Sequence, residues 1–479
     1  MVAEYLTIRN LTSTTLILKN VERFPPAKAS KFDVKQVAKP LKNNLTRSTP
    51  TADTSTQNVK LFDRRDVSVY IEPFRSVTTD IRAYDKSEKE GLRLIFEAEG
   101  ERYQIQTPVS TSESATLKPL GENPRFQFIG VYITLESHLA IYSSANLNAW
   151  MRELKDETYL SALSIPGTHN SPTYYCAAPS VRCQQVSPRE QMENGVRFLD
   201  IRVQPQYPND PSKDNLLLVH GLFPISLKGR KYFRDVVKDV ELFLERNPSE
   251  TIIMSVKREG PGKHTDMQLS RILRDHYAQD GSRWYTQPTV PTLGVARGKI
   301  VLIRRFGLED RLKREWGGRG WGIDATGWAN NTPFAISPSG DICVQDFYEV
   351  LDRKVIPQKI DYVTAQLMRS AELRYPFGVS GEEGSSNNDV GDRKLPFYIN
   401  FLSASNFWNI ETWPKDIATR VNPAVVDYLC RRHQGENGDW STGIPVCDWV
   451  GLGGDWDLVR CVVGMNAKLM MRQRSMEAT

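Results

Sequence analysis

The segment Ser164-Ile165-Pro166-Gly167-Thr168-His169-Asn170-Ser171 places a histidine directly after a short apolar stretch. Leucine or isoleucine occupies positions 160, 163 and 165, and we interpret residues 160–165 as a buried strand. From this point to the end of the chain, predicted strands alternate with predicted helices. This predicted strand therefore opens an α/β domain, and His169 lies just after its carboxyl end.

Two later strands carry polar residues at the same kind of position. The predicted strand 196–203 contains Asp200 and Arg202, and the apolar strand 216–219 is followed by His220. Two histidines, a carboxylate and an arginine at successive strand ends are the groups needed to cleave a phosphodiester without a metal ion.

The alternation continues through residues 146–479 and predicts a TIM-type (β/α)8 barrel. Further strands are predicted at residues 251–256, 299–303, 341–344, 395–402 and 444–446. Helices are predicted at residues 188–194, 233–246, 267–277, 356–373 and 456–472, and another is predicted to begin at Asn422-Pro423. Chemistry in such barrels lies at the carboxyl ends of the strands, where the sequence places His169, Asp200, Arg202, His220, Lys257, Arg305, Asp346 and Asp448.

Residues 1–145 show a different pattern, in which apolar and polar residues alternate and polar turns follow every 10–15 residues. This pattern predicts an all-β, sandwich-like accessory domain. Within it, residues 25–60 are rich in Ser, Thr, Asn and Pro and carry several lysines, which is typical of a long mobile loop. The loop is either simply solvated or rests on anionic lipid.

Composition narrows the possible classes of protein. The chain has 479 residues, 25% of them charged, with a formal net charge of +5, and no basic run interleaves with aromatics as in nucleic-acid binding proteins. It contains no run of 18 apolar residues and no apolar leader after Met1, so we expect the protein to be cytoplasmic or peripheral at a membrane. We also expect a monomer. Cys176 and Cys183 flank a short loop and are either reduced thiols or a local disulfide.

Residues 150–479 resemble the X domain of phosphatidylinositol-specific phospholipase C, most closely the single-barrel bacterial type. The matching motifs occur in family order: Ile165–His169, Gln191–Arg202, Val219–Gly221, Asn247–Ser255, Gly298–Leu302, Val344–Asp346 and Tyr398–Phe401. The resemblance does not extend to residues 1–145.

The resemblance implies that the inositol 2-hydroxyl attacks its own 1-phosphate, releasing diacylglycerol and a cyclic inositol phosphate. It implies that His169 is the general base, oriented by Asp448, and that His220 is the general acid. Arg202 would bind the phosphate where calcium lies in metal-dependent relatives, so no metal or cofactor is expected.

Other positions follow from the same resemblance. Residues that would hold the inositol ring are Lys257, Arg305, Asp346, Tyr348 and, as a looser match, Glu259. Trp408 matches a rim tryptophan that inserts into membranes in the bacterial type. Phosphatidylinositol-containing membrane surfaces are therefore the expected partner. The alternative for Trp408 is packing inside its own loop.

One position departs from the bacterial pattern. Asn170 replaces an aspartate that pairs with the acid histidine, and we expect an asparagine there to accept a hydrogen bond without adding charge. His220 would then be harder to protonate unless Asp200 supplies the field. His264, His276 and His433 have no such company and are predicted to lie on the surface.

Two other classes of protein stay open at this point. One is a non-catalytic or weakly active lipid-binding relative of the family. The other is a barrel phosphodiesterase of the glycerophosphodiesterase type, which would need carboxylates for a divalent metal.

Overall fold

The computed structural model describes residues 5–24, 63–83, 91–107, 114–375 and 396–477. Contacts within the chain divide it into two units, residues 1–10 with 14–141 and residues 11–13 with 142–479. The predicted loop 25–60 lies outside the described residues.

The first unit is built from short antiparallel strands. Its strands are β1 Tyr5–Leu11, β2 Leu16–Phe24, β3 Asp63–Ile71, β4 Ser76–Arg82, β5 Gly91–Ala98, β6 Glu101–Thr107, β7 Ser114–Thr116, β8 Lys118–Pro119, β9 Phe128–Ile133 and β10 His138–Ser143. They form two five-stranded sheets, ordered β4-β1-β10-β9-β7 and β3-β2-β5-β6-β8. Alternate residues of both sheets share one apolar core, in which Leu94, Phe96, Tyr103 and Phe128 are almost completely buried.

The second unit mixes strands and helices. Its strands are β11 Gly167–Thr168, β12 Phe198–Pro205, β13 Leu216–His220, β14 Phe223–Pro224, β15 Ile252–Arg258, β16 Trp284–Tyr285, β17 Ile300–Arg305, β18 Ile323–Asp324, β19 Ala335–Ile336, β20 Ile342–Gln345, β21 Phe397–Phe401 and β22 Ile444–Cys447. Its helices are α1 Pro188–Glu193, α2 Phe233–Arg246, α3 Asp266–His276, α4 Leu293–Ala296, α5 Asp310–Lys313, α6 Glu315–Gly318, α7 Ile356–Ala371, α8 Pro414–Arg431, α9 Asp457–Gly464 and α10 Asn466–Glu477.

These strands form one curled α/β sheet. Along its main path the order is β16-β17-β15-β12-β11-β22-β21-β20-β19, and every neighbour from β16 to β20 is parallel. The longer central strands are buried almost throughout, as expected when both faces of a parallel sheet are covered.

The register of the sheet explains how distant sequence positions meet. Arg202 of β12 pairs with Lys257 of β15, and Lys257 pairs with Arg305 of β17. Three cations therefore lie in one row near the carboxyl ends of three adjacent strands. On the other side of β12, Thr168 pairs with Cys447, so His169 and Asp448 follow at the same level.

Two strand predictions need correction. Residues 160–165 are not a strand: residues Leu160–Ala162 form a 3-10 turn, and only Gly167–Thr168 enter the sheet. Proline at position 166 lacks the backbone donor that a central strand needs. Strand β13 is antiparallel to β12, because a ten-residue connection without a helix is too short for a parallel crossover.

Two helix predictions also differ from the structure. Asn422-Pro423 lies inside α8, which begins nine residues earlier at Pro414, a proline at the first helical position. The last predicted helix is two helices, α9 and α10. In the described parts of the chain, no helix is long and apolar enough to cross a bilayer.

Candidate active site

His169 follows β11 and is held by a carboxylate from the neighbouring strand end. Its Nδ1 donates to Oδ1 of Asp448 at 2.8 Å, and only 12% of the histidine side chain is exposed. Burial lowers the pKa of His169 well below its usual value, and the charge of Arg202 lowers it further. The imidazole is therefore neutral near pH 7, with its Nε2 lone pair available to accept a proton.

His220 is held by a backbone carbonyl rather than by Asn170. Its Nδ1 donates to the carbonyl oxygen of Val181 at 2.7 Å. Among the described residues, the expected hydrogen bond from His220 to Asn170 is not formed: the backbone N–H of Asn170 donates to Asp200 at 3.0 Å, and its buried Nδ2 has no partner there. Burial and Arg202 lower the pKa of His220, although the Val181 carbonyl, Glu259 and Asp200 oppose that change.

The two imidazoles are close neighbours. Their ring centroids lie 5.7 Å apart, and the ring planes are almost perpendicular. The antiparallel return of β13 explains this, because Val203 pairs with Leu218 and the next two residues of β13 run back along β12 to His220. His169, which follows β11, and His220, which ends β13, are thus adjacent in the structure.

Arg202 forms the centre of an ion-pair network beside the histidines. Its Nε donates to Asp200 at 3.1 Å and its Nη1 donates to Glu259 at 3.0 Å. Lys257 donates to the same Glu259 at 2.8 Å, and Arg305 reaches Asp200 at 3.3 Å. These three cations and two carboxylates leave one positive charge in excess.

The carboxylates of this network stay ionised. Burial acts to raise the pKa of Glu259, but Arg202 and Lys257 outweigh it and lower that pKa to about 2. Burial likewise opposes ionisation of Asp200, yet Arg202 and Arg305 hold its pKa below the usual value. The ionised carboxylates consequently hold Arg202, Lys257 and Arg305 in place.

Aromatic rings form one wall of the site. The guanidinium of Arg305 lies 3.8 Å from the ring centroid of Trp328. The ring of Phe401 packs edge-on against His169, with centroids 6.1 Å apart. Asp346 lies nearby and is 8% exposed; burial raises its pKa, while Arg305 and Lys359 oppose the rise.

Lys359 is a site residue that sequence patterns missed. It sits on α7, is completely buried, and donates through Nζ to the carbonyl oxygens of Phe347 and Phe401, each at 2.5 Å. It also donates to Gln345 at 3.2 Å. In the sequence, Lys359 looks like any polar residue at the edge of the apolar face of a helix. Only its contacts in the structure show that it links the carboxyl ends of β20 and β21.

Two amide side chains play a similar part. Gln184 donates to the carbonyl oxygens of His169 at 2.7 Å and Cys447 at 3.0 Å. Asn422, which we expected to cap a helix, donates to the carbonyl oxygen of Asp448 at 3.0 Å. Both amides fix the backbone that carries the His169–Asp448 pair.

Tyr348 and Trp408 make other contacts. Within the described residues, Tyr348 bonds through its hydroxyl to Asn330 at 2.9 Å and through its backbone to Asn331, rather than joining the ion-pair network. Trp408 is 88% exposed and does not pack inside its loop. Its ring lies edge-on against Phe407, which in turn stacks on Phe223 with centroids 5.2 Å apart.

One group of side chains has spacing suited to a metal ion. Among the described residues, donor atoms of His169, Cys183 and His220 lie within 4.8 Å of one another. Imidazole and thiol donors suit soft transition ions rather than calcium, which takes oxygen ligands. Both Nδ1 atoms are already occupied by Asp448 and Val181.

The structure also tests the predictions made for His264, His276 and His433 and for Cys176 and Cys183. His433 and His264 are buried, so their predicted surface position is wrong, while His276 is exposed. Nε2 of His433 donates to the carbonyl oxygen of Trp440 at 3.0 Å, and this hydrogen bond replaces one to water. Cys176 and Cys183 are both free thiols.

Comparison with known proteins agrees with this geometry. The family model for phosphatidylinositol-specific phospholipase C, X domain, matches residues 157–306. These residues belong to the phosphatidylinositol-specific phospholipase C X domain family. The resemblance drawn from the motifs is thereby confirmed for the segment that carries His169, Arg202, His220 and Arg305.

Named relatives extend the likeness. The chain is 28% identical to a 1-phosphatidylinositol phosphodiesterase of Staphylococcus aureus over 331 residues, covering 66% of this chain and 92% of that protein. It is 35% identical to the 1-phosphatidylinositol phosphodiesterase of Listeria monocytogenes over 172 residues, which cover 34% of this chain and 50% of the relative.

A solved structure supports the same assignment. The phosphatidylinositol-specific phospholipase C of Staphylococcus aureus, studied for modulation of its membrane binding, superposes with a TM-score of 0.50 at 26% identity. The match covers 67% of this chain and 97% of that structure. The X domain and its surroundings therefore share the fold of an enzyme of this family.

Proposed function

We propose that this chain cleaves phosphatidylinositol, or the same headgroup in a glycosyl-phosphatidylinositol, to diacylglycerol and inositol 1,2-cyclic phosphate. The observation that carries the proposal is the pair of imidazoles of His169 and His220 beside the guanidinium of Arg202, with 5.7 Å between the two ring centroids. The relatives named as 1-phosphatidylinositol phosphodiesterases support the substrate class.

In the proposed reaction, Nε2 of His169 accepts the proton of the inositol 2-hydroxyl. The bond from that oxygen to phosphorus forms while the bond from phosphorus to the glycerol oxygen breaks. His220 gives its Nε2 proton to the leaving oxygen, so diacylglycerol departs as an alcohol. Asp448 stabilises the charge that His169 gains, and each proton transfer contributes about 10²–10⁴-fold in rate.

Arg202 is proposed to bind the phosphate. Asp200 and Glu259 hold its Nε and Nη1, leaving Nη2 without a protein acceptor among the described residues. The excess positive charge of the network favours a transition state that carries additional negative charge. No metal-bound step is required.

The inositol ring would contact the row of cations and the residues around it. Lys257 lies beside Arg202 on the adjacent strand and Arg305 lies on the strand beyond it, while Glu259 and Asp346 lie within the same group of charges. We retain Tyr348 as an inositol contact on the basis of the family resemblance. Hydroxyl groups of the ring would bond to these side chains and position its 2-hydroxyl for attack.

We infer that the curled sheet of residues 146–479 is an irregular TIM-type barrel and that residues 1–145 form an accessory β-sandwich. We also propose that the exposed aromatic side chains around Trp408 contact the bilayer, so that the chain binds membranes peripherally. The chain is proposed to act as a monomer.

The test is cleavage of phosphatidylinositol vesicles by the full chain, with products followed by phosphorus NMR. The proposal predicts a cyclic inositol phosphate in the presence of a divalent-metal chelator, and a loss of about 10²-fold or more in His169→Ala. His276→Ala, at an exposed histidine, is the matched control and should keep wild-type activity. Loss of activity with chelator would favour a metal-dependent phosphodiesterase, and vesicle binding without cleavage would favour a lipid-binding protein.

A further inference from the structure

The segment that follows His220 is a closed surface loop, Gly221–Lys231, which we call the His220 loop. Its first residues form a hairpin in which His220 pairs with Phe223. At its base, the backbone N–H of Leu218 donates to the carbonyl oxygen of Lys231 at 2.9 Å. The loop therefore leaves the sheet beside the proposed acid and returns to the same place.

The His220 loop exposes large apolar side chains. Leu222 is 69% exposed, Phe223 is 44% exposed and Leu227 is 73% exposed. A single exposed apolar side chain is common on protein surfaces. Three large ones within six residues form a patch of the kind found at membrane or protein interfaces.

The same loop exposes cations. Lys228 and Arg230 are exposed, and neither forms an ion pair with a carboxylate among the described residues. Lys231 lies 4.6 Å from the ring centroid of Tyr175. An apolar patch beside unneutralised cations is complementary to an anionic lipid surface and mismatched to an apolar protein groove.

Hydrogen bonds hold this arrangement in shape. The backbone N–H of Leu227 donates to the carbonyl oxygen of Cys176 at 2.9 Å. The hydroxyl of Ser226 accepts from the N–H of Lys228 at 3.0 Å, which fixes the turn. Phe223 stacks on Phe407, so the loop continues the aromatic rim that includes Trp408.

We propose that the His220 loop is a docking element for anionic bilayers, in which Leu222, Phe223 and Leu227 enter the interface and Lys228 and Arg230 select negatively charged lipid. This inference rests on the proposed function only in assuming that the substrate lies in a bilayer. It adds a charge preference that the aromatic rim alone would not supply.

The experiment measures partition of the full chain onto sedimented vesicles that contain no substrate. One vesicle is phosphatidylcholine alone, and the other is phosphatidylcholine with phosphatidylglycerol. For Lys228→Gln/Arg230→Gln we expect binding to the anionic vesicles to fall about 25-fold, because each cation contributes about fivefold. Binding to the neutral vesicles should be unchanged. Leu227→Ser should weaken binding to both.

The matched control is Lys238→Gln/Arg246→Gln, which removes two exposed cations from α2 and should change binding by less than twofold. The proposal is overturned if the loop variant binds anionic vesicles like wild type, if its loss is equal on neutral vesicles, or if the control loses as much. Because phosphatidylglycerol is not the proposed substrate, this result stands whether or not the chain cleaves phosphatidylinositol.

Discussion

Two arginines near opposite ends of strand β12 use the same side chain in different ways. Arg197 immediately precedes the strand, is fully buried, and donates to Glu250 at 2.9 Å and to four backbone carbonyls at 2.7–3.0 Å. Arg202 lies toward the carboxyl end, is partly exposed, and bonds only to Asp200 and Glu259 among the described residues.

The difference separates stability from function. A guanidinium whose donors are all used inside the protein has nothing left for a ligand, and its removal leaves a buried charge and several unpaired carbonyls. A guanidinium fixed by two carboxylates is oriented but keeps a donor for an incoming anion. The amino end of the strand therefore holds the fold, and the carboxyl end is available for chemistry.

The largest expected effect is on stability at the amino end. Arg197→Met should lower the free energy of unfolding by about 3–5 kcal/mol, because Glu250 would stay buried without its partner. Denaturant unfolding measures this, with activity per folded molecule nearly unchanged. Arg197→Met/Glu250→Met should lose less than the sum of the single variants, and strict additivity would contradict the pairing.

At the carboxyl end, the effect should appear in the rate. Arg202→Lys keeps the charge but loses the planar fork that spans Asp200 and Glu259. We expect kcat to fall about 10²–10³-fold while the unfolding midpoint changes little. A lysine variant with nearly full activity would mean that the fork does not hold the phosphate.

A smaller effect is expected at Lys359, which ties the carboxyl ends of β20 and β21 together. Lys359→Met should destabilise the fold by about 1–3 kcal/mol at pH 7, because two buried carbonyls lose their donor. Lys359→Gln keeps a donor and should recover part of the loss. A methionine variant as stable as wild type would contradict the tie.

The pH dependence of stability gives an independent check on the same residue. Burial lowers the pKa of Lys359 to about 7, against an ordinary value near 10.5. Between these values the unfolded chain binds more protons than the folded one, so this lysine makes wild-type stability rise with pH from about 7 to about 10. The rise should be absent from Lys359→Met, and identical pH curves would contradict it.

The smallest effect concerns the pH optimum. Activity should fall as pH drops through the pKa of His169, which must be neutral, and as pH rises through the pKa of His220, which must be protonated. Burial lowers both values, so the maximum of kcat/KM should lie below the ordinary histidine pKa near 6.5. A rate still rising above pH 7 would contradict these assignments.

Much of the strand framework could be predicted from the sequence. Apolar runs marked β12, β15, β17 and β20 closely, because buried parallel strands are nearly continuous in apolar residues. The amphipathic pattern predicted α2 at its observed bounds. Periodicity did not reveal the direction of β13, because strand patterns carry no information about which neighbour a strand joins.

The site was harder to predict in detail. His169, Arg202 and His220 could be expected together because each lies near or just after the carboxyl end of a predicted apolar strand. Their immediate partners could not, since the tautomer of His220 depends on the backbone carbonyl of Val181 and that carbonyl has no sequence signature. The anchoring role of Lys359 was hidden for the same reason, because its acceptors are mainly backbone oxygens.

The most direct test of the base and acid assignments compares two substrates in two variants. His169→Ala and His220→Ala are assayed on phosphatidylinositol and on an inositol phosphodiester whose leaving group is p-nitrophenolate, which departs without protonation. We expect His220→Ala to lose about 10²–10⁴-fold on the lipid and far less on the activated diester, whereas His169→Ala loses on both. Equal losses by both variants on both substrates would contradict the assignment of His220 as the acid that protonates the leaving oxygen.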